Sequence, residues 1–598
     1  MAPSDKATSA QPPFIFVQGS SIKEGRNGKL VRSQLARRII TKKRLTHQKE
    51  QMQKLDRLLQ KQKVQSTEVV CFCSSDAASD ASLTSPSLPH KSLQDPEEPK
   101  SANVVSRTLL PKTLATIALD TTQSHDAVVA KRNRPEPQSI LGAGRIDPFM
   151  ADSERFGIYF HDVADYCLKI FWPHLSSLGY AKKYYQKWIY ETQSPALTHS
   201  LVYAASVYRD RLCDVTNPLN LREQQRHKDL AIKYLQSELT DSSQNGHVSD
   251  ALLQCLLHLT VSENKQSLAV NDPSAFTTPF GQIQGLDIYG SCNFHPLHWD
   301  ALVQCVERRG GIHTVKLCGV SYFLSLASLF NACINLSRPV FPVLNAEGQP
   351  VVYSTPLEML RIPEAPQHLN QGNGGFHQLC LLNPPVKRDT VQIFLDLSEL
   401  SQVIQYMASR TGEVVDLATL GDCRNLVQHQ LLELPGQPDD LSSVLEVSNE
   451  GATAEETNTV FQIYLACRLA ALLYSLHATF PLPRTAPQRD HLIPALQNCI
   501  SGINERYADL RIAEILLWCA VTGGATAYGS KQRLWFLGEI SRLCDLLKIH
   551  TWDQMLECLV SFSWIGSACN QAGQALWREV NILYDGKMRN RDSSQNEI

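Results

Sequence analysis

The chain has 598 residues, a formal net charge of −2, and 43% hydrophobic against 19% charged residues. That hydrophobic share supports a sizeable core and excludes a chain that is unstructured throughout. No apolar run approaches the roughly 18 residues that span a bilayer, and the opening M-A-P-S-D-K is not that of a secretory leader, so no membrane partner is expected.

The charge is unevenly spread. Between Lys23 and Lys63 fourteen Lys/Arg face three acids, a net +11, which leaves −13 over the rest of the chain. Residues 1–65 therefore form a basic arm. After Lys29 the arm is rich in helix formers and free of Pro and Gly, with a thin apolar stripe at Leu35, Ile39, Leu45, Met52, Leu55 and Leu59. Such a segment reads as a solvated nuclear-import helix, or as one that neutralises nucleic-acid phosphates. On the second reading Arg32, Arg37, Arg38, Lys42, Lys43 and Arg44 are the candidate DNA contacts. A basic-region zipper is disfavoured, because the sevenfold spacing of Leu45, Met52 and Leu59 stops after about two heptads.

Residues 66–138, rich in Ser, Pro, Thr and Asp, are expected to be a disordered linker. The string S-I-L-G-A-G-R-I-D-P-F from Ser139 to Phe149 opens the folded body. Its Gly142 and Gly144 do not make a dinucleotide fingerprint, since Asp147 stands where the third glycine belongs. From Glu154 onward helical patterns follow one another: 156–175, 181–190, 196–213, 222–239 and 248–261. After a long loop at 262–297 comes the helix H-W-D-A-L-V-Q-C-V-E-R-R, whose cationic last turn suits the negative end of the dipole and which Gly310 stops. Val320 to Leu336 is apolar almost all round and is expected to lie inside; Pro339 and Pro342 break the chain after it.

A second loop is expected at 343–388, then helices at 389–407 and 423–434. Thr453 to Glu456 is a capping-box start. The helix it opens holds one full charge, Arg468, which should be paired or at the rim because an unpaired buried cation is costly. The C-terminal part carries five of the eight tryptophans, Trp518, Trp535, Trp552, Trp564 and Trp577, at helical spacing; residues 581–598 read as a polar tail. The expected fold is all-α: a large multi-helix body over 139–580 behind a disordered, basic N-terminal extension.

The order R-R-G-G-I, apolar helix, S-R-P-x-F-P, lone-Arg helix and Trp-rich closing helices resembles the fungal-specific transcription factor domain, the helical regulatory domain of fungal zinc-cluster transcription factors. The residues carrying the resemblance are Arg308, Arg309, Gly310, Gly311, Ser337, Arg338, Pro339, Arg468, Trp518 and Trp564. It implies a nuclear transcription regulator whose body contacts other regulators or coregulators, with room between helices for a small-molecule effector. The chain departs from the family in one respect: only Cys71 and Cys73 precede residue 150, too few for the six-cysteine zinc cluster. The alternative is a helical cofactor that modulates another regulator without touching DNA.

Enzyme chemistry is not expected. H-E-x-x-H, G-x-S-x-G and G-x-x-x-x-G-K-[ST] are all missing from the chain. Cys292, His295 and His298 are close in sequence, but no clear fourth ligand accompanies them, so no metal or other cofactor is assigned. The fifteen cysteines from Cys167 to Cys569 lie singly, mostly in apolar helical runs, as small buried hydrophobes would.

Overall fold

A computed structural model describes residues 153–595, apart from 177–178, 214–217, 246–247, 263–271, 273, 363–373, 411–415, 437–440, 447–451 and 504–509. The basic arm, the linker and the lead-in to residue 152 lie outside the described residues. Within them the fold is all-α, as the periodicity predicts: there is no β-strand, only the isolated bridges Leu344–Pro350 and Val386–Leu445.

α1 (Ser153–Tyr166) passes without a break into a π-helical stretch, Cys167–Phe171, and a last α-turn, Trp172–Leu175. α2 (Tyr180–Tyr184) likewise widens into a π stretch, Tyr185–Glu191. α3 (Pro195–Cys213) begins on its proline, where the missing N–H costs nothing, and packs on both α4 (Pro218–Asn245) and α5 (Asp250–Ser262). α5 in turn packs against α6 (Pro296–Arg308) and α7 (Val320–Asn335). The two expected loops are only partly irregular, since one-turn helices stand at Leu286–Tyr289, Pro356–Leu360 and Gly374–His377.

The R-R-G-G turn ends α6 as its glycines require. Gly310 and Gly311 have φ of +100° and +104°. Gly311 N donates to Val306 O and Gly310 N to Glu307 O, both at 2.9 Å, the paired bonds of a Schellman stop. Thirteen of the sixteen residues of α7 are buried, so it is an inner helix. It ends on Leu336 at φ +51°, before either proline. The S-R-P-V-F-P segment then folds back along it: Ser328 Oγ accepts from Val340 N and Phe341 N, and Ser325 Oγ donates to Pro342 O.

The C-terminal half is built on α10 (Ala454–His477), which follows α8 (Arg388–Ser409) and α9 (Leu417–Glu433). α9 joins the two halves by packing on both α7 and α10. α10 also packs on α11 (Ala486–Ser501) and α12 (Leu510–Thr526), and α12 on α13 (Arg533–Leu547) and on the last helix, α15 (Gly566–Gln595). The short α14 (Trp552–Val560) lies between them in sequence.

The sequence expectation needs three corrections here. α10 is long and apolar enough to cross a membrane by length and composition alone, with mean hydropathy 1.5 over its most apolar 18 residues. Its charge and polar residues break the run on paper, but 83% of that window is buried among the other helices, so it is the core of this half. α11 was hidden by Pro487, which sits in its first turn, and by Pro494 inside it. The polar segment 581–598 stays helical through Gln595, because it contains no proline to end α15.

Candidate functional site

The cavity of most interest lies in the N-terminal half, walled by five stretches of chain. α5 contributes Gln254, Leu257, His258 and Val261, and α7 contributes Phe323, Leu326, Ala327 and Phe330. Both sets follow i, i+3, i+4, i+7, one face of a helix. Phe171, Trp172 and Leu175 come from the end of the first π stretch and the turn after it; Trp188 comes from the second π stretch. Tyr289 and Phe294 close the remaining side. A π turn carries an extra residue, so it rotates the side chains after it relative to α periodicity. Both widened turns deliver an aromatic ring to the cavity wall.

The rings meet edge to face: Trp172 and Trp188 have centroids 5.9 Å apart at 90°, and Trp188 and Phe323 5.8 Å apart at 74°. The indole N–H of Trp188 is engaged, donating to Cys318 O at 2.8 Å. Trp172 is 1% exposed, and its indole N–H has no hydrogen-bond partner among the described residues. Gln254, 2% exposed, has its amide nitrogen 2.8 Å from His258 Nε2, while its Oε1 has no partner among the described residues.

A chain of hydrogen bonds sets this orientation. Ser200 Oγ donates to Leu197 O, so it accepts from His258 Nδ1–H at 3.1 Å; that leaves Nε2 to accept from the Gln254 amide. Burial pushes the His258 pKa down to about 3, so the ring is neutral at physiological pH. Among the described residues the wall carries no Lys, Arg, Asp or Glu. The cavity volume is about 50 Å³.

None of the ten residues that carry the family resemblance lines this cavity. Arg309 instead ties three segments together. Its guanidinium pairs with Asp250 at the start of α5 and donates to Val248 O at 2.9 Å and Thr314 O at 2.8 Å. Arg308 is exposed. Among the described residues Arg468 forms no ion pair; its Nε donates to Leu434 O, at the end of α9, and burial lowers its pKa. Trp518 and Trp564 are core residues whose indoles donate to Ser563 O and Asn570 Oδ1. Ser337, Arg338 and Pro339 lie in the segment that folds back along α7. Arg32, Arg37, Arg38, Lys42, Lys43 and Arg44 are outside the described residues.

The Cys292 thiol takes a hydrogen bond from Arg211, and the rings of His295 and His298 stack tilted, 4.3 Å apart. Among the described residues no three His, Cys, Asp or Glu side chains are grouped to hold a metal ion. Arg424, which composition does not single out, is 2% exposed; it donates to Ile283 O and Gln284 Oε1 and stands 4.9 Å over the Phe480 ring. It fastens α9 to the turn that carries Gln284.

The chain matches no protein-family model, no curated protein and no solved structure.

Proposed function

We propose that this protein is a nuclear regulator of transcription, in which the basic arm carries an all-helical regulatory body to DNA. The single observation behind the reading is the segregation of charge: +11 between Lys23 and Lys63 against −13 elsewhere. A polyanion is drawn to the first and repelled by the second, so DNA engages the arm and leaves the body free for other regulators. The resemblance to the fungal-specific transcription factor domain supports the same reading. The residues that carry it include Arg309, Gly310, Gly311, Trp518 and Trp564, which here perform scaffold tasks of the kind a shared fold would keep.

The test uses the full chain and a variant with Arg32, Arg37, Arg38, Lys42, Lys43 and Arg44 all replaced by Gln, titrated with random-sequence duplex DNA across a salt series. Each phosphate neutralised adds about −0.9 to the slope of log K against log salt, so six contacts give about −5. We expect that slope for the native chain and its collapse in the variant. Equal binding by the two, or none by the native chain, refutes DNA contact through the arm. In that case a DNA-independent cofactor, with the arm acting in nuclear import, becomes the better description.

A further inference from the structure

We propose that the cavity between α5, α7 and the two π stretches is a binding site for a small, uncharged aromatic molecule bearing a hydroxyl group, that is, a phenol. The proposal is independent of DNA binding and rests on the walls alone.

Size comes first. The cavity volume of about 50 Å³ is more than a single water needs and less than the roughly 150 Å³ of a dry apolar cavity that takes up benzene. It therefore admits one six-membered ring with a short substituent only as the wall gives way, and excludes a fused polycycle. Water fills it poorly, because each buried molecule needs two to four polar partners and this mostly aromatic and aliphatic wall has too few for more than one. A flat ring, by contrast, packs edge to face against Trp172, Trp188 and Phe323, which already adopt that arrangement with one another.

Polarity narrows the class. Among the described residues the Trp172 indole is a donor without an acceptor, and Gln254 Oε1 is an acceptor without a donor. Both residues are almost fully buried and both line the space. Leaving such groups unpaired is costly, and a ligand that pairs them recovers that cost. A phenolic hydroxyl has the one donor and the lone pairs that these two groups call for. A carboxylate or an amine is refused, because the wall offers no counter-charge and an unpaired ion pays its full desolvation. His258 faces the same space; its Nδ1–H is held by Ser200 and its Nε2 by the Gln254 amide, so it fixes Gln254 and adds no charge.

The test is calorimetric titration and thermal unfolding of the full chain with 4-ethylphenol, compared with ethylbenzene and 4-ethylbenzoate. We expect 4-ethylphenol to bind one to one and to raise Tm, ethylbenzene to bind about tenfold more weakly, and the benzoate not to bind. Trp172→Phe keeps the ring and removes the donor, and should weaken 4-ethylphenol about tenfold with little change for ethylbenzene. Ala327→Leu fills the space and should abolish binding of both. If Ala327→Leu does not fold, Trp172→Phe still decides the matter. The proposal is overturned if 4-ethylphenol fails to bind at millimolar concentration, if ethylbenzene binds as tightly, or if Trp172→Phe leaves the discrimination unchanged.

Discussion

Replacing Arg309 by Ala should lower the stability of the body far more than the same change at its neighbour Arg308. Arg309 joins the end of α6 to the start of α5 and to the turn Ile312–Thr314 through one ion pair and two carbonyl contacts. The side chains of Arg309 and Asp250 are only 16% and 14% exposed, so solvent screens them little. Breaking a buried pair from one side costs about 3–5 kcal/mol. Asp250 is not stranded, however, because its Oδ2 still accepts from Lys316 N at 2.7 Å and Leu317 N at 2.6 Å. The lower end, about 3 kcal/mol, is therefore the expected loss.

Unfolding entropy of about 2 cal/mol/K per residue, over roughly 440 residues, converts that to a fall in Tm of about 3 °C. Arg309→Lys keeps the charge but loses the fork, and should fall between native and Arg309→Ala. Arg308 is exposed, and its replacement by Ala should stay within about 0.5 kcal/mol. Differential scanning calorimetry of the full chain, read at the first transition, checks all three. A loss under 1 °C for Arg309→Ala, or equal losses for the two arginines, would refute the assignment of Arg309 as the tie.

Three other perturbations follow from the geometry. Burial pushes Asp422 up to about 7, so the fold holds a proton there that the unfolded chain releases, and native stability declines as pH rises towards 7. Asp422→Asn, which keeps an acceptor for Gln284, should exceed the native Tm at pH 8, by less at pH 5, and match it only below about pH 4, where the unfolded carboxyl is protonated too; parallel curves would contradict the sign. Gly319 has φ +81°, and a Cβ there would stand 2.4 Å from the fully buried Tyr184 ring, so Gly319→Ala should cost about 2–4 kcal/mol in urea unfolding. Thr453 and Glu456 cap α10 reciprocally, and Thr453→Ala should cost about 1 kcal/mol in the same assay, with no loss of helix content by circular dichroism.

Local chemistry was legible in the sequence wherever one residue type leaves few options. Gly310 stops α6, Thr453 and Glu456 start α10, Pro195 opens α3, and the apolar surround of Val320 to Leu336 makes it an inner helix. Helix α11 was not legible, because two prolines masked a pattern that tertiary packing sustains. The cavity was not legible either. Gln254, Leu257, His258 and Val261 do fall on one face, as do Phe323, Leu326, Ala327 and Phe330, but both helices are apolar all round and no face stands out. The π stretches that aim Phe171 and Trp188 leave no mark on the periodicity, and the orphan atoms of Trp172 and Gln254 depend on contacts spread over 82 positions of chain. Arg308 and Arg309 are adjacent and alike in type; only the path of Asp250 in α5 separates a surface charge from an internal tie.

Helix α10 carries a liability as well as a core. Its most apolar 18 residues are 83% buried, and its position among α8, α9, α11 and α12 keeps them from water. A nascent chain released before α12 emerges, or a proteolytic fragment cut after α10, would display a segment that cellular sorting machinery reads by hydropathy as membrane-bound. Quality control of this protein therefore turns on the order of synthesis: α10 is made before α11 and α12, which pack on it, and it must be shielded until they arrive.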